Sequence, residues 1–346
     1  MAGSAAAVDS NAAGCTRVNL PGRVVGTLTE WLGTRKLSTR CPFFGLVLGA
    51  LVLIGCNPKT GRDKSPETPK SPVGSPVAET DQAGASALDA DSIPAIPDRP
   101  QGERFAVNGT ELYYEIFGTG EPLLLLHGGA ATIESWYAQI PEFAKKYRVI
   151  VPDCRGHGRT KDVEGPINFT LMASDIAGLL DHLGIKSVMI VGWSDGGVTG
   201  FELAIRHPDL VKKLVTFGAH SRPQGMTAEF KAGVEAFNPD NFPPILVNGY
   251  KALSPDGPEH WPVVFAKLKT MWLTLPNFTE DELRGIRCPT LLMVGETDIV
   301  REEESKRIAS LIPKSRLKVL QGATHYFPVE IPEIVNGTIL GFFAEP

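Results

Sequence analysis

Residues 187–207 read SVMIVGWSDGGVTGFELAIRH. The opening SVMIV is a short apolar run of the kind that forms a strand buried on both faces. The closing stretch, Gly197–His207, reads as a helix. Between them stands Gly192-Trp193-Ser194-Asp195-Gly196, a G-x-S-x-G pattern. Chance alone gives about 0.1 such matches in a chain of this length, so the strand–turn–helix setting sharpens the reading. A turn this sharp puts Ser194 in a strained backbone geometry. Its neighbours must be small where chain segments come close, and Gly192 and Gly196 supply that space. The turn aims the hydroxyl at the mouth of a site. The helix N-terminus behind it offers partial positive charge to a developing oxyanion.

A serine hydroxyl at its ordinary pKa needs a base. The alternation of strands and helices around the motif suggests where that base lies. Glu111–Phe117 has period-two character. Short apolar runs follow at Pro122–Leu126, Arg148–Val151, Ser187–Val191, Lys213–Phe217, Thr290–Val294 and Arg316–Leu320. Helical stretches fall at Ser135–Lys146, Thr170–Leu183, Gly197–His207 and Pro332–Phe343. This order implies a mostly parallel sheet covered on both faces. His325 follows the last strand and is the candidate base. Asp298 follows the strand before it and is the candidate carboxylate that fixes the imidazole tautomer, with Glu296 as the alternative acid. His127, after Pro122–Leu126, reads as a brace for its loop. Asp153-Cys154-Arg155-Gly156-His157-Gly158 reads as a structural turn, since its glycines lack the spacing and the lysine of a phosphate loop. Between Ser221 and Gly285 the alternation stops, and helical pieces carry Trp261, Phe265, Met271 and Trp272. This insertion is placed over the carboxyl edge of the sheet as a lid, with a structural elaboration away from the site as the alternative.

Composition narrows the function classes. The 346 residues carry 34 Lys+Arg against 39 Asp+Glu, a net charge of -5. No basic excess is present to neutralise phosphates, which argues against a nucleic-acid partner. The five cysteines form no C-x-x-C pair, so neither a zinc ribbon nor a thioredoxin-type motif is supported. No metal or cofactor is expected. Cys154 and Cys288 lie at opposite ends of their strands, which argues against a disulfide between them.

The N-terminal hundred residues are expected to stand outside the fold. Pro42–Ile54 (PFFGLVLGALVLI) is thirteen residues without a charge, preceded by Arg35, Lys36 and Arg40. A spanning helix needs about 20 apolar residues, whereas the h-region of a secretory signal runs about 7–15. The run ends Leu53-Ile54-Gly55-Cys56, which resembles the lipobox of bacterial lipoproteins. That resemblance implies cleavage before Cys56 and its lipidation, so residues 1–55 are the signal. It also implies a body anchored in a bacterial cell envelope. Residues 56–102 are rich in Pro, Ser, Ala, Asp and Lys and lack aromatics. Such a segment buries too little apolar surface to offset ordering entropy and is expected to be a disordered tether with a reach of about 40 Å.

HGG at 127–129, D-x-R-G-x-G at 153–158, G-W-S-D-G-G at 192–197, the late Asp298 and the final G-x-x-H at 322–325 occur in that order. Together they resemble the α/β-hydrolase superfamily over about residues 103–346. The resemblance implies an α/β fold with a mostly parallel eight-stranded sheet, helices on both faces and a small helical lid at about 221–285. It implies a serine hydrolase with Ser194 as nucleophile, His325 as base and Asp298 as orienting acid. Backbone N–H groups of Gly129 and Asp195 would form the oxyanion hole, and a small carboxylic ester would be the substrate. Ser194 at the elbow disfavours haloalkane dehalogenases and epoxide hydrolases, which use Asp there. The stretch VGWSDGGVTGFELAIRHPDLVKKLVTFGA (191–219) is similar to valacyclovir hydrolase-like (biphenyl hydrolase-like) enzymes. In that group the Asp beside the nucleophile is linked to a substrate amino group, which makes Asp195 and Trp193 candidate substrate contacts. Asp195 reads equally as a helix-N-terminal Asp stabilised by the dipole. A tethered binding lipoprotein that kept the fold without turnover is the rival reading.

Overall fold

The structure is a computed structural model that describes residues 15–18 and 93–346. The lipobox with Cys56 and residues 57–92 of the tether lie outside the described residues. The strands are β1 (Cys15–Val18), β2 (Glu103–Val107), β3 (Thr110–Phe117), β4 (Glu121–Leu126), β5 (Tyr147–Asp153), β6 (Val188–Trp193), β7 (Val211–Phe217), β8 (Thr290–Thr297) and β9 (Ser315–Thr324). They form one sheet in the order β1-β9-β8-β7-β6-β4-β5-β3-β2. β3 runs antiparallel to both its neighbours, β2 and β5, and every other pairing in the sheet is parallel. Eight strands come from 103–346, in the architecture expected of that segment. The ninth, β1, pairs with β9 through Cys15↔Leu317 to Val18↔Leu320. It therefore adds to the sheet a piece of the segment expected to stand outside the fold.

The continuous apolar runs have a simple cause. In β4, Leu124 and Leu126 face one core and Leu123 and Leu125 the other, and all four are fully buried. Leu124 and Leu126 pack with the helices Phe169–His182 and Asp195–Arg206. Leu123 and Leu125 pack with Trp136, Phe143, Phe327 and the final helix Pro332–Ala344. A strand with helices on both faces has no side left for polar residues. β4 also sits between β5 and β6. The chain crosses to one side of β4 and then to the other, which opens a crevice at the strand ends where ligands bind in such sheets.

Three expectations need correction. The helix expected over 135–146 is broken into a 3₁₀ turn, Ile133–Trp136, and one helical turn, Ile140–Phe143. Pro141 lacks the N–H that a continuous helix requires and its ring would meet the preceding turn. The eighth strand of the main body, Glu103–Val107, has a largely exposed pattern and therefore no apolar run to reveal it. The body also begins before residue 103. Ile96 is buried in the second core, and the Arg99 Nε–H donates to both oxygens of the buried Glu115 carboxylate at 3.0 and 2.9 Å. A charge-assisted pair with a buried carboxylate holds residues that composition alone assigns to the tether.

Between β7 and β8 the insertion forms helices Ala228–Ala236, Pro244–Leu253, Trp261–Thr274 and Glu280–Arg284. Its aromatic residues pack on one another, with Phe242 against Trp261, Phe265 and Trp272. The helix Trp261–Thr274 reaches the loop after β5, where Lys267 Nζ and His260 Nε2 lie 2.7 and 2.9 Å from Asp162 Oδ2.

Candidate active site

Ser194 links β6 to the helix Asp195–Arg206 with φ 54° and ψ −115°. That left-handed backbone is costly for a residue with a Cβ and persists only where its surroundings enforce it. Here they do. The Ser194 N–H donates to Phe217 O at 2.7 Å, and Ser194 O accepts from Val198 N at 3.0 Å. A Cβ on Gly192 would lie 2.3 Å from Gly196 O, and one on Gly196 would lie 2.0 Å from Leu126 O. Both glycines of the motif are therefore fixed by collisions with main chain, which cannot move aside as a side chain can.

Asp298 and His325 arrive from the ends of β8 and β9. His325 Nδ1–H donates to Asp298 Oδ1 at 2.7 Å. The carboxylate is buried and also accepts Val300 N–H at 3.0 Å and Gly295 N–H at 3.2 Å. Its orientation is thus set before the histidine binds to it. With Nδ1 carrying the proton, Nε2 is the accepting nitrogen. Glu296 is exposed and accepts the Gly322 N–H instead, so Asp298 is the carboxylate paired with the imidazole. Gly218 shows how these groups meet the elbow. It follows Phe217, which accepts the Ser194 N–H, and a Cβ on it would lie 2.5 Å from His325 Nδ1 and 3.0 Å from Asp298 Oδ1. Ser194 and the Asp298–His325 pair therefore flank the same two residues at the end of β7. Sequence reasoning passed over Gly218, although a glycine directly after an apolar strand was the available signal.

The loop 127–129 closes the other side. A Cβ on Gly128 would be 3.4 Å from Ser194 Cβ, and one on Gly129 would be 2.4 Å from Asp195 Oδ2. The Gly128 main chain thus lies beside the serine, and that of Gly129 beside the Asp195 carboxylate. His127 accepts the Cys154 N–H on Nε2 at 3.0 Å, so its proton sits on Nδ1, 2.8 Å from Gly128 O. Burial pushes its pKa down to about 4. It ties two loops together as a neutral ring. The turn after β5 is likewise structural. Arg155 forms a two-pronged pair with Asp175 of the helix Phe169–His182 at 2.6 and 2.7 Å, with both side chains buried. Asp153 accepts the N–H groups of Ile133 and Arg159, each at 2.9 Å. Cys154 and Cys288 are free and buried.

Two further side chains complete the picture. The Trp193 side chain is buried in the second core. Its ring lies on the far face of β6, edge-on to Trp136 and Tyr326, and its Nε1–H donates to His325 O at 3.1 Å. Strand alternation turns it to the face opposite the helix Asp195–Arg206 and makes it a support for the histidine loop. Asp195 is buried, and burial raises its pKa to about 6 despite a hydrogen bond from Trp272 Nε1–H to Oδ2 at 2.8 Å. Trp272 belongs to the insertion. Its aromatic neighbours mark a packed cluster, but no spacing in the sequence points it at Asp195.

A family model described as the alpha/beta hydrolase fold matches residues 121–242. A non-heme haloperoxidase of Rhodococcus erythropolis is 30% identical over 266 residues, covering 68% of this chain and 97% of that protein. The chain belongs to the α/β-hydrolase family. A 2-hydroxy-6-oxo-2,4-heptadienoate hydrolase of Pseudomonas putida is 29% identical over 66% of this chain and 91% of its own length. The solved structure of a thermophilic esterase from Thermogutta terrifontis aligns with a TM-score of 0.58 and 30% identity, covering 70% of this α/β hydrolase and 98% of the esterase.

Proposed function

We propose that this α/β hydrolase is a serine hydrolase that cleaves a small carboxylic ester through an acyl-enzyme. The observation that carries the reading is the strained Ser194 elbow beside a hydrogen-bonded Asp298–His325 pair. His325 Nε2 takes the Ser194 proton as Oγ attacks the ester carbonyl. The Gly129 and Asp195 N–H groups hold the oxyanion, a contribution worth about 10²–10³ in rate for each donor. The tetrahedral intermediate collapses, the alcohol leaves with the proton from His325, and water repeats the sequence on the acyl group. Similarity to an esterase of 30% identity supports an ester as substrate. The insertion serves as the lid of the site.

A narrower reading has its own observation. Asp195 is a buried carboxylate with no Lys or Arg paired to it among the described residues. Trp272 engages only Oδ2, which leaves Oδ1 for a substrate ammonium group. On this reading α-amino esters are preferred. The rest of the proposal comes from the sequence: export through the 1–55 signal and anchoring by lipid on Cys56 place the enzyme at a bacterial cell envelope. Among the described residues no helix is long and apolar enough to cross a membrane.

The test is a p-nitrophenyl ester series with and without an α-amino group, read as burst and steady-state rates. The proposal expects a burst equal to the enzyme concentration with plain esters. For the α-amino esters it expects kcat/KM higher by at least about tenfold, an advantage lost in Asp195→Asn. No turnover of any ester by the folded enzyme counts against the hydrolase and favours a binding role.

A further inference from the structure

Asp195 brings a charge to the point where the proposed reaction builds another. Its main-chain N–H is one of the two donors assigned to the oxyanion. Its carboxylate Oδ2 lies 2.4 Å from where a Gly129 Cβ would stand, hence within about 5 Å of the Gly129 N–H, the other donor. The titratable groups that face it are His325 and Cys154, and no Lys or Arg pairs with it among the described residues. In a buried site a carboxylate so placed opposes the charge on a tetrahedral intermediate. One group meets it. Trp272 Nε1–H donates to Oδ2 at 2.8 Å, and the same indole edge passes over Gly129, 2.8 Å from the absent Cβ. The indole is held in turn by stacking on Phe242, with ring centroids 5.6 Å apart and planes 17° from parallel, and by an edge contact with Phe265.

We propose that Trp272 is a positioning residue of the hydrolytic site, whose indole N–H pins the Asp195 carboxylate and draws its charge away from the oxyanion. The inference rests on the serine-hydrolase reading of Ser194. It gives the insertion a part in the chemistry beyond covering the site, because the group that offsets the Asp195 charge is carried on the helix Trp261–Thr274. A phenyl ring could fill the same volume and keep the stack on Phe242. Only a donor satisfies the carboxylate oxygen.

A double-mutant cycle on the whole chain tests this. Wild type, Trp272→Phe, Asp195→Asn and the double variant are compared by kcat and KM for a plain p-nitrophenyl ester at pH 8. Trp272→Phe is expected to lower kcat by about 10–100-fold, the range of a hydrogen bond to a charged group, with KM changed less than about threefold. In the Asp195→Asn background the same substitution is expected to change kcat by less than about threefold, because a neutral amide leaves no charge to offset. An equal loss in both backgrounds assigns Trp272 a packing role and overturns the proposal, as does a Trp272→Phe enzyme with wild-type kcat. If wild type itself neither turned over the ester nor accepted a fluorophosphonate, the reading of Ser194 would fall and this proposal with it. An active wild type without coupling in the cycle removes the proposal alone.

Discussion

The elbow and the insertion meet at Asp195 but are built in opposite ways. Around Ser194 the geometry is held by main chain. Gly192 and Gly196 face carbonyl oxygens, the Ser194 N–H is bound to Phe217 O, and Asp298 is held by two backbone N–H groups before it meets His325. Toward Asp195 and the loop after β5 the insertion reaches the body through side chains. Trp272 reaches Asp195, Lys267 and His260 reach Asp162, and an aromatic cluster fills the space behind them. Main-chain constraints leave residue-type signatures because only glycine fits them. Side-chain contacts across the fold leave almost none. The part of the site assigned to bond making is therefore readable in the sequence, and the part contributed by the insertion is hidden.

Substitutions on the two sides should separate accordingly. The largest effect falls on the frame. Asp298→Asn removes the charge that orients His325, so kcat is expected to fall about 10³–10⁴-fold, with a lower melting temperature because the amide nitrogen leaves the Gly295 or Val300 N–H without an acceptor. A loss below tenfold would mean the Asp298–His325 pair is structural. Next comes Gly196→Ala, whose new methyl would sit 2.0 Å from Leu126 O. Main chain must shift, and chemical denaturation should show a loss of about 3 kcal/mol.

Asp195→Asn probes the boundary between the two regions. The folded carboxyl titrates near 6, above the unfolded value of about 3.9. Between those values the folded state keeps a proton that the unfolded chain has lost, so the charge costs stability as pH rises through about 4–6, and the cost persists above. Removing it should stabilise the enzyme by about 1–3 kcal/mol at pH 7.5 and by almost nothing at pH 4. A gain independent of pH would break the assignment. The smallest effect lies in the insertion. Lys267→Met deletes a part-exposed pair with Asp162 and should cost about 1 kcal/mol while raising KM more than it lowers kcat.

How far the sequence could be read follows the same division. The six apolar runs named from the sequence are strands, because burial on both faces forces continuous hydrophobicity, and the period-two stretch Glu111–Phe117 is a seventh. Glu103–Val107 was missed because an edge strand with solvent on it carries no such run. The Ser194, Asp298 and His325 positions were legible from strand order, and the structure puts them around Gly218. The face of β6 that the Trp193 ring takes was not legible, because proximity to Ser194 in sequence says nothing about it. Ile96 and Arg99 were hidden because their partners, the second core and Glu115, lie in other parts of the sequence. A domain preparation should accordingly begin at Ile93 rather than after the Pro-rich stretch.

The central claim is that Ser194 is an activated nucleophile. The most direct test is to treat the folded protein with a fluorophosphonate and map the adduct by peptide mass spectrometry, with Ser194→Ala alongside. The account predicts one adduct, on Ser194, that is absent from the variant. A folded wild-type protein that stays unlabelled, or that labels equally well without Ser194, would contradict it.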